Sequence, residues 1–323
     1  MIARRILLFS IAAAACGVAT FNAGLAQPYP TKPIKLIVPL APGGTIDVIA
    51  RLMAQQLSLR LGQSVIVENR LGAGGMIAIK AVAAADPDGY TLLFGSSGTL
   101  AISPALYRNA GSGNLMPVAA AVIVPANLLA VASTVPARSV DEVIALAKAK
   151  PGKLAHGSTL GSPPHLLGEF FRAKTGIDIR HVPYRGSAQA IPDLLGGRIQ
   201  LIAESTPILL PYIQQGGVRP FVVAAAARQP ELAGVPTLNE IGLDGFPSGG
   251  WGGVLAPAGT PSEIVEKLNA AINESMQTAE VTASLAKLGF RAAPGSSKDF
   301  ANLVAMDTMK WAEVVRVTDV KID

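Results

Sequence analysis

The sequence predicts a two-domain α/β protein, and three observations carry that expectation. Half of the 323 residues are apolar but only 5% are aromatic, which favours an Ala/Val/Leu/Ile-rich α/β chain over an aromatic-rich β-sandwich. Short apolar runs repeatedly end in Gly, Ser or Thr and lead into amphipathic segments, the pattern of strand, turn and helix. Two successive helix–Gly-Gly–strand units, at Gly196-Gly197 and Gly216-Gly217, mark right-handed βαβ crossovers and a parallel sheet. No internal repeat is present, and the length allows two medium domains that each bury a core.

The first 26 residues are set aside as a secretory signal peptide. Arg4 and Arg5 precede the apolar run Ile6 to Val18, and Gly24-Leu25-Ala26 places small residues at −3 and −1 of a cut before Gln27. A retained anchor is disfavoured because the apolar run is too short to span a bilayer comfortably. The only cysteine, Cys16, lies in this leader, so the mature chain has no thiol, disulfide or cysteine metal ligand. Acylation of Cys16 is the weaker alternative to the later cut, since no Leu precedes Ala13-Ala14-Ala15. The net charge of +5 falls to about +3 without Arg4 and Arg5. The remaining basic residues are scattered without aromatic interleaving, which excludes nucleic acid as a partner class.

The mature chain opens with an extended lead-in, Gln27 to Lys32, and a buried strand at Ile34 to Val38. Pro39, Pro42, Gly43 and Gly44 stop it, and Thr45 or Asp47 can cap the helix that follows, whose apolar face is Ile46, Ile49, Met53, Leu57 and Leu61. A second strand at Ser64 to Glu68, a glycine-rich loop at 69–75, a helix at Met76 to Ala84 and a third strand at Tyr90 to Phe94 come next. The apolar stretch Met116 to Ser133 contains Pro117, Pro125 and Asn127, so it reads as two strands with a domain crossover near Pro125 rather than a membrane span. Helices are expected at Val140 to Ala149, His165 to Thr175, Ala188 to Leu195 and Thr206 to Gln215, alternating with strands at 154–158, 178–182, 199–204 and 218–224. A short helix at Pro236 to Ile241 and a glycine hinge at 249–253 lead to a strand at Val254 to Ala256. Three helices then close the chain, at 261–276, 281–288 and 298–316. The domains are therefore expected to be 27–126 plus 250–323, and 127–249.

Ligands in such sheets bind beyond the carboxyl ends of strands. Four turns qualify: 42–47, 95–99, 158–164 and 185–187. A glycine turn at a helix N-terminus suits a small anion, although Gly43 and Gly44 by themselves also read as a plain tight turn. Ser162 and His165 raise an alternative reading as an exported α/β hydrolase, but no G-x-S-x-G elbow surrounds the serine and no acid is placed to orient the histidine. His165 and Glu169 stand at i, i+4, yet no second histidine completes a metal set, so no metal and no cofactor are expected.

Several motifs in order resemble one family. They are Val38-Pro39 with Gly43-Gly44 and Asp47; Val67-Glu68-Asn69-Arg70 with Gly72, Gly74 and Gly75; Asp86-Pro87-Asp88-Gly89-Tyr90; His165-Leu166 with Gly168-Glu169; His181-Val182-Pro183-Tyr184-Arg185-Gly186; and Gly234-Val235-Pro236-Thr237. The chain resembles the Bug family, the substrate-binding proteins of tripartite tricarboxylate transporters, over essentially all of 27–323. The resemblance implies a non-enzymatic periplasmic binding protein of type II, the two-domain "Venus flytrap", with a small carboxylate in the interdomain cleft. It also implies a membrane transporter of one large and one small subunit as partner, with a membrane sensor as the alternative recipient, and a monomeric receptor. Carried onto this chain, the ligand-binding residues are Ala41, Pro42, Gly43, Gly44 and Asp47; Thr99 and Ala101; Ser158, Gly161, Ser162 and His165; Tyr184, Arg185, Gly186 and Ser187; and Glu204, Ser205 and Thr206. Asp47 is expected to act as a cap. Arg185 is read either as a carboxylate grip or as a partner of Asp193 or Glu204. The family's usual Asn-Pro and Thr-His are replaced by Ser103-Pro104 and Thr99-Leu100, so that wall is expected to differ.

Overall fold

Ile34, Leu36, Ile37 and Val38 are all buried, as a mid-sheet strand requires, and in the computed structural model they form β1 (Ile34–Val38). The structure describes residues 29–107 and 114–322, so the expected leader lies outside the described residues. After β1 come α1 (Thr45–Leu61), β2 (Val65–Asn69), α2 (Met76–Ala83), β3 (Thr91–Ser96), α3 (Ser103–Leu106) and β4 (Leu115–Val124). A single π-helical turn, Gly98–Ile102, joins β3 to α3; periodicity alone did not reveal it.

The chain then passes to a second sheet through β5 (Asn127–Ala132), α4 (Val140–Ala149), β6 (Leu154–Thr159), α5 (Pro163–Thr175), β7 (Ile179–Tyr184), α6 (Ser187–Leu195), β8 (Leu201–Ser205), α7 (Thr206–Gln214) and β9 (Val218–Val223). It returns with β10 (Gly250–Pro257), α8 (Ser262–Met276), α9 (Ala279–Lys287), β11 (Arg291–Ala292) and α10 (Ser297–Thr318). Helix ends follow their local chemistry. Ser162 caps α5 by accepting the His165 N–H, with prolines in the first turn and left-handed Gly176 after the last. Ser296 and Asp299 form a reciprocal capping box at α10. The segment expected as a helix at 236–241 keeps only one 3₁₀ turn, Asn239–Ile241, because Thr237 bridges to Val223.

The first sheet runs β11-β4-β10-β3-β1-β2 and the second β7-β6-β8-β5-β9. β1, β2 and β3 are parallel, as are β6, β7 and β8. The second sheet is not wholly parallel, which corrects the crossover reading: β5 lies antiparallel between β8 and β9. β10 is likewise inserted antiparallel between β3 and β4. Each sheet therefore contains one strand reached directly across from the other lobe, the arrangement of a two-domain periplasmic binding protein of type II.

The glycines at 249–253 are not a free hinge. β10 begins at Gly250, and a Cβ on Gly253 would lie 2.5 Å from the Phe300 ring and 2.6 Å from the Ala119 carbonyl oxygen. These glycines let the strand and α10 approach each other. Trp251 stacks edge-on against Phe300, with ring centroids 5.1 Å apart. α10 continues past the first sheet. Its Trp311 meets Phe246 edge-on at 5.2 Å, and Phe246 in turn packs on Phe170 of α5. The last helix thus touches both lobes.

Candidate functional site

Two adjoining cavities of about 420 and 410 Å³ form one cleft between the sheets. Leu40, Ala41, Ile46, Ser97, Val124, Thr159, Ser162 and Pro163 line both. The walls are the carboxyl ends of β1, β3, β6 and β8, together with the crossover ends Val124, Asn127, Gly249 and Gly250. Three of the four turns singled out in the sequence converge here. The fourth, 185–187, does not line either cavity.

Among the candidate residues, Ala41, Gly44, Thr99, Gly161, Ser162, Glu204 and Ser205 line the cleft. Pro42 and Gly43 are exposed beside it. The Gly43 amide is already engaged, which corrects its place in the cradle: its N–H donates to Asp47 Oδ2 at 2.9 Å. Asp47 is almost fully buried and also receives Arg51 Nε at 2.9 Å and Asn69 Nδ2 at 2.8 Å. Burial opposes its charge, but Arg51, Asn69 and the Gly43 amide outweigh burial and hold the carboxyl at about 2. Asp47 therefore braces the loop from behind as the third residue of α1 and is not a side-chain N-cap, since the helix begins after Gly44 without one. The donors available to an anion are the first-turn amides of α1, which an α-helix leaves without an intrahelical acceptor.

Thr99 closes its own turn, accepting the Ser96 N–H at 3.0 Å and donating to the Ser96 carbonyl at 3.1 Å. Ala101 is in the core and does not reach the cleft. Ser158, His165 and Thr206 are buried behind the wall. The Thr206 hydroxyl lies 3.1 Å from the Ala126 carbonyl and 2.8 Å from Gln229 Oε1. Tyr184 donates to Asp193 at 2.8 Å, and Asp193 pairs with Arg198 at 2.7 Å. Neither carboxylate suggested as a partner is ion-paired with Arg185, which is exposed and outside the cleft lining; Gly186 and Ser187 are outside it as well.

The hydrolase arrangement is absent among the described residues. Ser162 Oγ donates to the Thr159 carbonyl at 2.6 Å and accepts the His165 backbone N–H, so the histidine ring does not activate it. His165 Nδ1 instead accepts the Gly161 N–H at 3.2 Å. Glu169 serves His156 and Arg172, not His165. No group of metal-ligating side chains is present among the described residues.

All three histidines of the chain meet in one column behind the second-lobe wall. His165 and His181 have ring centroids 4.1 Å apart, and His156 and His181 4.8 Å. Ser158 Oγ lies 2.9 Å from His181 Nε2, and His156 Nδ1 is buried without a partner. Burial first, then the neighbouring histidines, push His165 down to about 4 and His181 to about 3. In the folded protein His165 and His181 stay neutral where free histidines take up protons. Acidification from pH 6.5 toward 4 is therefore expected to destabilise the fold, because the unfolded chain binds up to about two protons that native His165 and His181 refuse. Asp47 and Glu169 have depressed values and lose their stabilising effect only below the ordinary carboxylate range. Denaturation midpoints between pH 7.5 and 4.5 should fall more steeply in the wild type than in His165→Gln or His181→Gln. Equal slopes would show that the column is not the cause.

Sequence reasoning missed Leu40, Ser97, Asn127, Leu160 and Ile208 as lining residues. Ser97 sat in a turn already singled out, and Asn127 was the lone amide in a long apolar stretch. Leu40 and Leu160 are apolar residues at turns and Ile208 is an apolar residue in the first turn of α7, none of which has a sequence signature.

Two sheets of this topology facing each other across a cleft define a two-lobed solute-binding receptor. The chain belongs to the tripartite tricarboxylate transporter receptor family, whose model, "Tripartite tricarboxylate transporter family receptor", matches residues 49–320. It is 37% identical over 320 residues to protein BugT of Bordetella pertussis, covering 96% of this chain and 98% of that protein. An R. palustris protein solved with adipate superposes with a TM-score of 0.77 at 36% identity, covering 91% of this chain and 99% of that one. MatC from Rhodopseudomonas palustris, solved with bound malate, gives 0.75 at 31% identity, covering 89% and 100%. The family and fold are those of solute-binding receptors, not enzymes. Among the described residues no helix is long and apolar enough to cross a membrane.

Proposed function

We propose that this chain is the periplasmic receptor of a tripartite tricarboxylate transporter and captures a small carboxylate between its lobes. The observation that carries this reading is the interlobe cleft, where the unpaired first turn of α1 faces the hydroxyl-bearing ends of β3 and β6. Backbone amides and hydroxyls hold an anion through partial charges, and closure of the lobes strengthens them by excluding water. The adipate and malate bound to two relatives support the same ligand class. The leader at 1–26 would be cleaved on export. The receptor would act as a monomer and deliver its ligand to one large and one small membrane subunit. We divide the lobes at 27–126 plus 250–323 and 127–249, with the end of α10 docked on the second.

A ligand that binds only the folded receptor raises its melting temperature by mass action, about 2.7 kcal/mol at a hundredfold excess over Kd. Protein stripped of solute by unfolding and refolding should therefore shift upward with at least one of a panel of aliphatic mono- and dicarboxylates, amino acids and aromatic acids. No shift with any of them would overturn the proposal.

A further inference from the structure

The charge content of the cleft points to a narrower ligand class, on the reading that the cleft holds a carboxylate. Among the described residues that line the two cavities there is no Lys, Arg or His, and the only charged side chain is Glu204. Glu204 ends β8, half-buried, on the wall opposite the α1 turn. Its Oε1 accepts the Ser205 N–H at 2.7 Å, and no ion pair to it is present among the described residues. Burial pushes its carboxyl up, against hydrogen bonds from the Ser205 amide and from the Ser205 and Ser187 hydroxyls. The rest of the lining between the two walls is largely carbon, with Leu40, Ile46, Val124 and Ile208.

We propose that Glu204 is a specificity-determining residue that selects a linear ω-amino carboxylate. The carboxylate sits on the amides of α1, the methylene chain lies on the apolar strip, and the terminal ammonium pairs with Glu204. A dicarboxylate of matching length presents its second anion to the Glu204 carboxylate, and the described lining contains no cation to offset that repulsion. Discrimination by an unpaired charge works against the wrong ligand as much as for the right one. Closure removes water from both charges, so the pairing matters more in the closed state than in the open one.

The test is a matched series measured by calorimetry on solute-free receptor. The ligands are 4-aminobutyrate, 5-aminopentanoate and 6-aminohexanoate against succinate, glutarate and adipate, with hexanoate as a single-carboxylate control. The wild type should bind at least one ω-amino member about tenfold or more tighter than its dicarboxylate partner. Glu204→Gln, which keeps the shape and can keep accepting the Ser205 N–H, should lose that preference while retaining the wild-type melting temperature. A wild-type preference for the dicarboxylates, or a ratio unchanged in Glu204→Gln, overturns the inference. Binding of hexanoate or a dicarboxylate without any ω-amino acid overturns it alone and leaves the receptor reading standing. Binding of no carboxylate of any kind overturns both.

Discussion

Gly44→Val is expected to leave the fold intact and abolish carboxylate binding. Gly44 lines the cleft at the entrance to α1, with φ −72° and ψ 160°, a conformation that any residue adopts. A Cβ there meets only the Ala41 carbonyl oxygen, at 3.4 Å, so the backbone does not have to move. The branched side chain would then occupy the space before the first-turn amides. Valine is a poor N-cap, which costs about 1 kcal/mol and lowers the melting temperature by a few degrees at most. The loss of affinity should be about 100-fold or more, because an anion displaced from those amides has no described side-chain cation to replace them. Gly44→Ser, a good N-cap with a smaller side chain, should keep full stability and lose less affinity. A Gly44→Val protein that binds as tightly as the wild type would show that the carboxylate sits elsewhere. The neighbouring Gly43 is unsuited to the same test. Its φ of +78° makes any side chain strained, and its amide holds Asp47.

Asp307→Ala should produce the largest loss of stability. Asp307 is buried on α10, and its Oδ2 accepts two indole N–H groups, from Trp251 at 2.9 Å and from Trp311 at 3.1 Å. Trp251 belongs to β10 in the first sheet, whereas Trp311 lies in the core shared with the second lobe. One carboxylate oxygen therefore joins the strand that returns from the second lobe to the helix that spans both. Removing it leaves two buried donors unsatisfied, each worth about 1–3 kcal/mol, and opens a small void. The expected loss is roughly 3 kcal/mol, or about 5–10 °C in melting temperature. Asp307→Asn retains a carbonyl acceptor and should lose markedly less. Burial pushes the Asp307 carboxyl up, against the two indole donors that favour its charged form. If the alanine and asparagine variants were equally stable, the double acceptance would have no energetic role.

Much of this architecture was legible in the chain. β1, α1, α4 and α8 lie within a few residues of where periodicity put them, because each presents one repeating apolar face to a core. Three of the four Gly/Ser/Thr turns converge on the cleft, because parallel strands all end on the same side of their sheet. The mixed order of the sheets was not legible. β5 and β10 are short apolar strands like the rest, and nothing local states whether a neighbour runs parallel. The histidine column was equally hidden, since His156, His165 and His181 come from three elements and meet only when β6, β7 and α5 pack together.

The candidate site shows the same division. Composition, turn chemistry and the order of motifs pointed to a two-lobed receptor with Gly/Ser/Thr turns at its cleft. Those are local properties of backbone freedom and side-chain type. The tertiary structure decided which groups are available. It engaged the Gly43 amide with Asp47, turned Thr99 and Ser162 to cap their own turns, and left Arg185 outside the cleft lining. It also placed Glu204 across from the α1 amides. A hydrogen bond can be made only once, and which partner takes it depends on what packing brings within 3 Å, which spacing along the chain does not encode.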